Sequence, residues 1–389
     1  MTSETATHYG TEDGDFFRPV WAEVDLGAIA FNMRMFRRLY PQQLLMAIVK
    51  ADAYGHGAVP VAQTVLAAGA DWLGVAFVEE GLALRRAGIE APILVLGTTR
   101  EGAAITAAVK YGLALTVYDE DNLAHMAEVA RREGARLVVH VKVDTGMNRI
   151  GVKGVDAAVA LLESARNNPW IEVQGLYTHF ATADEADKSF TRRQYETFMN
   201  IVAALEQRNI KPPILHCANS AAAIDMPELA TDMLRIGIGL YGVYPSSEVS
   251  RSRIQLKPAM QWKTRVTAVK QVQPGETVSY GATYQVGQKP EYIATLPVGY
   301  ADGYSRRLSN VGEVLIRGHR CPVVGRVCMD QLMVRVPDAS GIVAGDEAVL
   351  FGRQDGAELP VEQVAAWLDT IAYEVLCMVG KWVPRVYRR

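Results

Sequence analysis

Short apolar runs alternate with amphipathic stretches along the first two thirds of the chain. Such runs, bounded by turn residues, are typical of buried strands. The segments between them have helical periodicity, with acidic residues leading and glycine or asparagine trailing, as in EGLALRRAG and VDAAVALLESARNN. Strands that alternate with helices imply right-handed crossovers, and eight such units predict a (β/α)₈ TIM-like barrel, an α/β fold. The predicted strands cover residues 44–50, 72–76, 93–96, 113–117, 137–143, 171–178, 214–217 and 234–238.

The pattern changes after about residue 250. Runs of period two, such as TRVTAVKQV, YIATLPV, EVLIRG, CPVVGRVCMD, QLMVRVP and EAVLFG, are separated by glycine and proline turns. They predict a C-terminal, mostly-β domain that closes with one helical piece, PVEQVAAWLDTIAYEVLCMV. We therefore expect a disordered tail over 1–15, a barrel over 16–250 and a β domain over 251–389. The apolar stretch within 16–25 is outside the count of barrel strands, and we expect it to pack on the β domain.

Composition and charge exclude several classes of protein. With 389 residues, 49% of them hydrophobic, the chain can bury a full core. A net charge of −3 gives no field that would recruit nucleic acid or an anionic membrane surface. The four cysteines have neither the spacing of a disulfide framework nor that of a zinc site. The N-terminus is polar, and no run of about 18 apolar residues occurs. These features predict a cytoplasmic protein without a resident metal.

Polar residues stand where the predicted barrel strands end, which is where barrel enzymes place their active sites. Lys50 ends the first strand, and Lys142 lies near the end of the fifth. The seventh ends in HCANS and the eighth carries RIGIG, which offers Ser220 and exposed backbone N–H groups for a phosphate. Each residue alone has an ordinary structural explanation, because a lone lysine is usually at the surface. Together they indicate pyridoxal 5'-phosphate, whose aldehyde requires an amine and whose phosphate requires donors.

Motifs along the whole chain resemble those of the alanine racemase family. VKADAYGHG, KVDTGMNRIG, GLYTHFATADE, HCANSAA, VSYGATY, PVGYADGY and GRVCMDQ appear in family order. The resemblance implies a pyridoxal-phosphate enzyme of the barrel type. It also implies a homodimer whose two active sites are shared between subunits, with a small amino acid as substrate.

The resemblance assigns two bases to the reaction. Inversion at Cα requires a proton removed on one face and another delivered on the opposite face. Lys50 matches the Schiff-base lysine and one base, and Tyr280, reaching in from the second subunit, matches the other. His179 and Arg235 match the hydrogen-bonded neighbours that favour phenolate at Tyr280, and Arg235 also matches the partner of the pyridine nitrogen.

Further positions match residues that bind cofactor and substrate. Arg149 matches a contact to the cofactor's phenolic oxygen and to the substrate carboxylate, and the backbone at Met329 matches a second carboxylate contact. Lys142 matches a carbamylated lysine (N6-carboxylysine) of the family. A bare ammonium at this position would face Arg149 in a dry barrel as an unpaired like charge, whereas a carbamate is an anion and could pair with the guanidinium. The residues that match phosphate contacts are Tyr54, Ser220, Gly237 and Ile238.

One departure from the family pattern and several alternatives stay open at this point. Family members often read SYRVPR near the C-terminus, whereas this chain reads GKWVPR, which puts Lys381 in place of a phosphate-contacting tyrosine. The expected reaction interconverts L-alanine and D-alanine and supplies D-alanine for peptidoglycan. A racemase of serine or of a broader range of small amino acids is the alternative. A barrel-type decarboxylase of basic amino acids and a non-catalytic cofactor carrier are more remote.

Overall fold

The computed structural model describes residues 17–338 and 341–389, so the tail predicted over 1–15 lies outside the described residues. Contacts between Cα atoms divide the chain into two units. The barrel unit comprises Leu26–Ala53 and Gly57–Pro258. The C-terminal unit comprises Ala259–Arg389, the segment Tyr54–His56 and the described residues up to Asp25.

Eight parallel strands form the barrel unit's sheet, which confirms the predicted barrel. The first strand pairs with the second on one side and with the eighth on the other. Between the seventh and eighth strands, the N–H of Arg235 donates to the carbonyl of Ala218 at 3.0 Å. Most strands end one or two residues before their predicted limits. The strands are Leu44–Ile48, Trp72–Val75, Ile93–Val95, Ala114–Val117, Leu137–Lys142, Ile171–Tyr177, Ile214–His216 and Met233–Ile236.

The helix Glu120–Glu133 has the caps that its sequence predicts, whereas Gly102–Lys110 and Val155–Asn167 have no side-chain N-cap bond. Asp119, the N-cap of Glu120–Glu133, accepts a hydrogen bond from the N–H of Asn122, and Gly134 ends that helix in the left-handed conformation. Leu26–Leu39 precedes the first strand, and its apolar face is buried. The other helices are Ala58–Ala67, Val78–Arg86, Gly102–Lys110, Val155–Asn167, Ser189–Gln207 and Ser220–Asp225.

The C-terminal unit is mostly β. Val20–Asp25 lies in its largest sheet, where it pairs antiparallel with Met260–Arg265 and parallel with Arg385–Arg388. On the other side, Met260–Arg265 pairs with Glu347–Gln354, and the sheet continues through Glu313–Ile316, His319–Pro322 and Ala357–Leu359. A second sheet contains Ala268–Val272, Glu291–Leu296 and Leu332–Val336, and a short ribbon joins Thr277–Val278 to Tyr284–Gln285.

Two predicted elements of the C-terminal unit were wrong in extent. The run CPVVGRVCMD forms a strand only at its start, and residues 324–330 are irregular. Gly325 has φ +76°, and a Cβ there would lie 2.5 Å from the carbonyl oxygen of Val278, so an extended strand cannot continue through this position. The final helical piece is two helices, Val361–Leu368 and Ala372–Met378, because Asp369 adopts a left-handed conformation at φ 57°.

Candidate active site

Lys50 lies two residues beyond the end of the first barrel strand and begins an unusual turn. Ala51, Asp52 and Ala53 all have φ near +53° and ψ near +49°, and Tyr54 follows with φ 53°. Left-handed helical geometry costs roughly 1–2 kcal/mol per non-glycine residue, so the surroundings must hold this turn. The N–H of Ala53 donates to the carbonyl of Val49 at 2.9 Å, and the carboxylate of Asp52 accepts from the N–H of Ala58 at 2.7 Å.

A cluster of cationic side chains lies at the strand ends of the barrel unit. Lys142, only 4% exposed, ends the fifth strand. Burial lowers the pKa of its ammonium to about 7, and the charges of Arg149, Arg235 and Lys50 act in the same direction. Asp144 acts in the opposite direction. The structure therefore brings four predicted site residues together, and the excess of positive charge favours anionic ligands.

Arg235 lies at the centre of a buried hydrogen-bond network. Its Nη1 is 3.0 Å from Nδ1 of His216, and its Nη2 is 3.1 Å from Nδ1 of His179. The same guanidinium donates to the carbonyls of His216, Thr178 and Cys217. Within the described residues, Nε of Arg235 has no recorded partner, so this donor is left for a ligand. Arg235 and His179, which the family resemblance paired, are thus in hydrogen-bond contact.

The pKa of His179 is well below its usual value, because burial and the charges of Arg235, Arg149, Lys142 and Lys50 all disfavour the imidazolium. His179 is therefore neutral near pH 7, and its ring can accept the hydrogen bond from Arg235. A neutral imidazole can accept a hydrogen bond from Arg235 at one ring nitrogen and donate one from the other, without adding another positive charge to the site.

Sequence reasoning missed the part of this network that lies deeper in the barrel. Nδ1 of His140 is 2.9 Å from Nε2 of His216, and the ring of Tyr177 stacks on His216 with centroids 4.6 Å apart. Both Lys142 Nζ and Arg235 Cζ lie over the ring of Tyr177, at 5.5 and 5.4 Å. The alternation in HVKVD did place His140 and Lys142 on one face of the fifth strand, but it gave no sign of the partner at His216.

Ser220, Gly237 and Gly239 form the predicted glycine-containing cradle. The hydroxyl oxygen of Ser220 accepts from the N–H of Gly237 at 2.8 Å and from that of Gly239 at 3.4 Å, which leaves its own O–H to donate elsewhere. A Cβ at Gly239 would lie 2.8 Å from the ring of Phe36, so no larger residue fits. Among the described residues, the N–H of Ile238 has no recorded partner, which adds a second donor at this cradle.

The other predicted site residues belong to the C-terminal unit. Tyr280 is 71% exposed and Met329 54% exposed. Tyr280 follows Ser279, a non-glycine residue with φ 68°, whose hydroxyl donates to the carbonyl of Arg326 at 2.6 Å. The loop that carries Met329 is held by backbone bonds from the N–H groups of Tyr300 and Ala301 to the carbonyls of residues 328 and 329. These bonds present a phenol and a backbone segment on the surface of the unit.

Tyr54 and Lys381 also fall in the C-terminal unit. Tyr54 is buried, its ring centroid is 6.0 Å from that of Tyr373, and burial raises the pKa of its phenol far above the usual value. Lys381 is exposed, whereas the indole of the neighbouring Trp382 donates to the buried carboxylate of Asp302 at 3.0 Å. Trp382 is therefore anchored, and Lys381 has its side chain in solvent.

The fold and the site together indicate the class of protein. A parallel barrel carries a basic, lysine-containing site at its strand ends, and a mostly-β unit follows it, which is typical of a barrel enzyme. Comparison with known proteins makes this class specific. The model of the alanine racemase N-terminal domain matches residues 24–245, and that of the alanine racemase C-terminal domain matches residues 259–387. The chain therefore belongs to the alanine racemase family, whose members are isomerases.

Individual relatives agree over nearly the whole length of the chain. Alanine racemase of Desulforamulus reducens is 50% identical over 95% of this chain and 99% of its own, and that of Symbiobacterium thermophilum is 50% identical over 96% and 98%. The crystal structure of alanine racemase from Bacillus anthracis with bound L-Ala-P has a TM-score of 0.91, at 40% identity and 96% coverage of both chains. No helix within the described residues has the length and apolar character needed to cross a membrane.

Proposed function

We propose that this chain interconverts L-alanine and D-alanine with pyridoxal 5'-phosphate, by a two-base reaction at Cα. The observation that carries this proposal is the strained turn that begins at Lys50, together with the convergence of Lys50, Lys142, Arg149 and Arg235 at the barrel's strand ends. The full-length similarity to alanine racemases supports alanine as the substrate. A cytoplasmic enzyme with this activity would supply D-alanine for peptidoglycan.

The residues at the barrel's strand ends fit the cofactor. Its phosphate would lie against the O–H of Ser220 and the N–H of Ile238, and its ring nitrogen would accept from Nε of Arg235. When bound, the cofactor supplies an aldehyde that condenses with amines and a ring that withdraws electrons from Cα. Four cations around one buried carboxylate provide the positive surroundings that a phosphate and a substrate carboxylate require.

Lys50 and Tyr280 act as the proton carriers in this proposal. The amine of Lys50, once released from the cofactor, exchanges a proton with Cα on one face. A second subunit would provide the base on the other face of Cα, because Tyr280 is largely exposed on the C-terminal unit and could enter a partner's barrel. We propose that the partner's Tyr280 approaches His179, where a neutral imidazole and the fixed charge of Arg235 stabilise phenolate.

Arg235 also limits the side reactions of the site. A guanidinium cannot give up its proton, so Arg235 would donate a hydrogen bond to the cofactor's ring nitrogen without protonating it, and electron withdrawal from Cα would be weaker. The proton at Cα is then returned quickly by the nearest acid, which favours inversion over other fates of the substrate. Arg149 completes the binding of substrate, since its fork suits a carboxylate and the backbone N–H of Met329 provides a second donor.

Lys142 is expected to carry a CO₂ adduct in the native enzyme. Burial and neighbouring cations lower the pKa of its amine to about 7, which raises the share of neutral amine that can attack CO₂. The carbamate is an anion, which would pair with Arg149 and remove the repulsion between its guanidinium and the buried ammonium of Lys142. Growth in ¹³C-bicarbonate followed by ¹³C NMR should show one carbamate signal, and Lys142→Ala should abolish it. A bare amine at Lys142 in a crystal structure at pH 8 would contradict this prediction.

The proposed function is tested by incubating the purified protein with L-alanine in deuterium oxide. We expect D-alanine to appear together with deuterium at Cα, without release of CO₂. Serine and lysine are tested in parallel as comparison substrates. Faster inversion of serine would indicate the serine racemase alternative, and CO₂ release from lysine would indicate the decarboxylase. Binding of pyridoxal phosphate without Cα exchange from any of these substrates would identify a cofactor carrier and reject the proposal.

A further inference from the structure

Glu80 makes an unusual set of hydrogen bonds beside the turn that begins at Lys50. It belongs to the first turn of the helix Val78–Arg86. Its Oε1 accepts from the N–H of Ala51 at 2.6 Å, and its Oε2 accepts from the N–H groups of Ala76 and Phe77 at 2.7 and 3.2 Å. One carboxylate therefore connects the residue after Lys50 to the end of the second barrel strand.

The bond to Phe77 is an ordinary helix cap, but the bond to Ala51 is not part of the helix. A capping glutamate at this position returns to the N-cap backbone of its own helix. In the left-handed turn, a backbone bond runs from the N–H of Ala53 to the carbonyl of Val49, whereas the N–H of Ala51 donates to a side chain, that of Glu80. Glu80 thus satisfies the starts of two helical segments of opposite hand, which requires two acceptor oxygens and the reach of a glutamate.

The N–H of Ala51 belongs to the peptide group that contains the carbonyl of Lys50. Fixing this N–H fixes the plane of that peptide, and with it the direction in which Cα of Lys50 presents its side chain. The turn contains no glycine, so it has no intrinsic preference for the left-handed form and depends on external bonds. The carboxylate of Glu80 provides one such external bond, a charged acceptor for the N–H of Ala51.

We infer that Glu80 is a positioning residue for Lys50: its carboxylate holds the left-handed turn so that the lysine amine meets the cofactor's aldehyde. This inference rests on the proposed role of Lys50. It assigns Glu80 no contact with cofactor or substrate. The expected effect is therefore on the rate and completeness of bond formation at Lys50, and on turnover more than on substrate affinity.

The test compares the Glu80→Gln holoenzyme with the native holoenzyme and with Glu79→Gln. Glutamine keeps the size but replaces one acceptor oxygen by an NH₂ group, which cannot accept from an N–H. Glu79 is an exposed neighbour in the same first turn, so its variant controls for the loss of one charge. The measurements are cofactor retention after gel filtration, borohydride labelling of the Lys50 peptide by mass spectrometry, kcat, KM and melting temperature.

We expect Glu80→Gln to retain less cofactor, to be labelled more slowly at Lys50 and to lose roughly 10- to 100-fold in kcat with little change in KM, because small misplacements of a reacting group have effects of this size. Glu79→Gln should match the native enzyme. If Glu80→Gln fails to fold, Glu80→Asp, which keeps the charge but cannot reach all three N–H groups, replaces it with the same expectation.

A lower melting temperature of Glu80→Gln with native labelling, retention and kcat would overturn the inference, since Glu80 would then be only a helix cap. Absence of labelling at Lys50 in the native protein would instead reject the proposed function. The two failures are therefore distinguishable.

Discussion

Replacing Lys50 by alanine is expected to abolish racemisation and to end covalent attachment of the cofactor. The substitution removes the amine that bonds the aldehyde and one of the two proton carriers. Loss of a positioned general base alone costs about 10²–10⁴ in rate, and loss of the covalent link adds to this. We expect no borohydride labelling of the remaining peptide, and D-alanine formation at the limit of detection in a coupled assay.

The matched control for this prediction is Lys270→Ala. Lys270 is an exposed lysine on the strand Ala268–Val272 of the C-terminal unit, and it should not affect labelling or rate. The melting temperature of the apoprotein should change little in either variant, because Lys50 is only partly buried. Labelling that persists in Lys50→Ala, at Lys142 or elsewhere, would show that another amine holds the cofactor.

The barrel could be predicted from sequence because each strand is a separate apolar run and each helix a separate periodic segment. Position within a run also put His140 and Lys142 on one face, since side chains alternate along a strand. What could not be predicted was backbone conformation set by distant contacts. KADAY contains no glycine, so nothing local indicated a left-handed turn at Ala51, whose N–H bonds to Glu80, 29 residues away.

The same limit applies to the deeper part of the site. His140 and His216 are 76 residues apart, and their hydrogen bond depends on the glycine at position 175. A Cβ on Gly175 would lie 2.1 Å from Nδ1 of His140, so this glycine makes room for the imidazole between neighbouring strands. Similarly, Gly325 and Asp369 ended predicted elements through positive φ angles, which apolar periodicity does not report. The motif HCANS contained His216, but only the structure shows that this histidine contacts His140.

Mixing two inactive variants is expected to restore activity if Tyr280 serves the partner's barrel. Tyr280→Phe removes one proton carrier, so racemisation should fall about 10²–10⁴-fold, while one alanine enantiomer still exchanges its Cα proton through Lys50. A mixed dimer of Tyr280→Phe and Lys50→Ala combines an intact Lys50 from one chain with an intact Tyr280 from the other. With random exchange at equal amounts in a two-fold dimer, about a quarter of the sites should be complete.

The measurement is racemase activity after the two variants are unfolded and refolded together, compared with each variant refolded alone. Tyr111→Phe, which removes an exposed phenol of the barrel unit, replaces Tyr280→Phe in the control mixture and tests for loss on refolding. If both bases came from the same chain, no mixed dimer would contain a complete site, and activity would stay at the level of the separate variants. Recovery near a quarter of the native activity requires that the phenol at 280 cross to the second subunit, because no arrangement within one chain rebuilds a site from these two lesions.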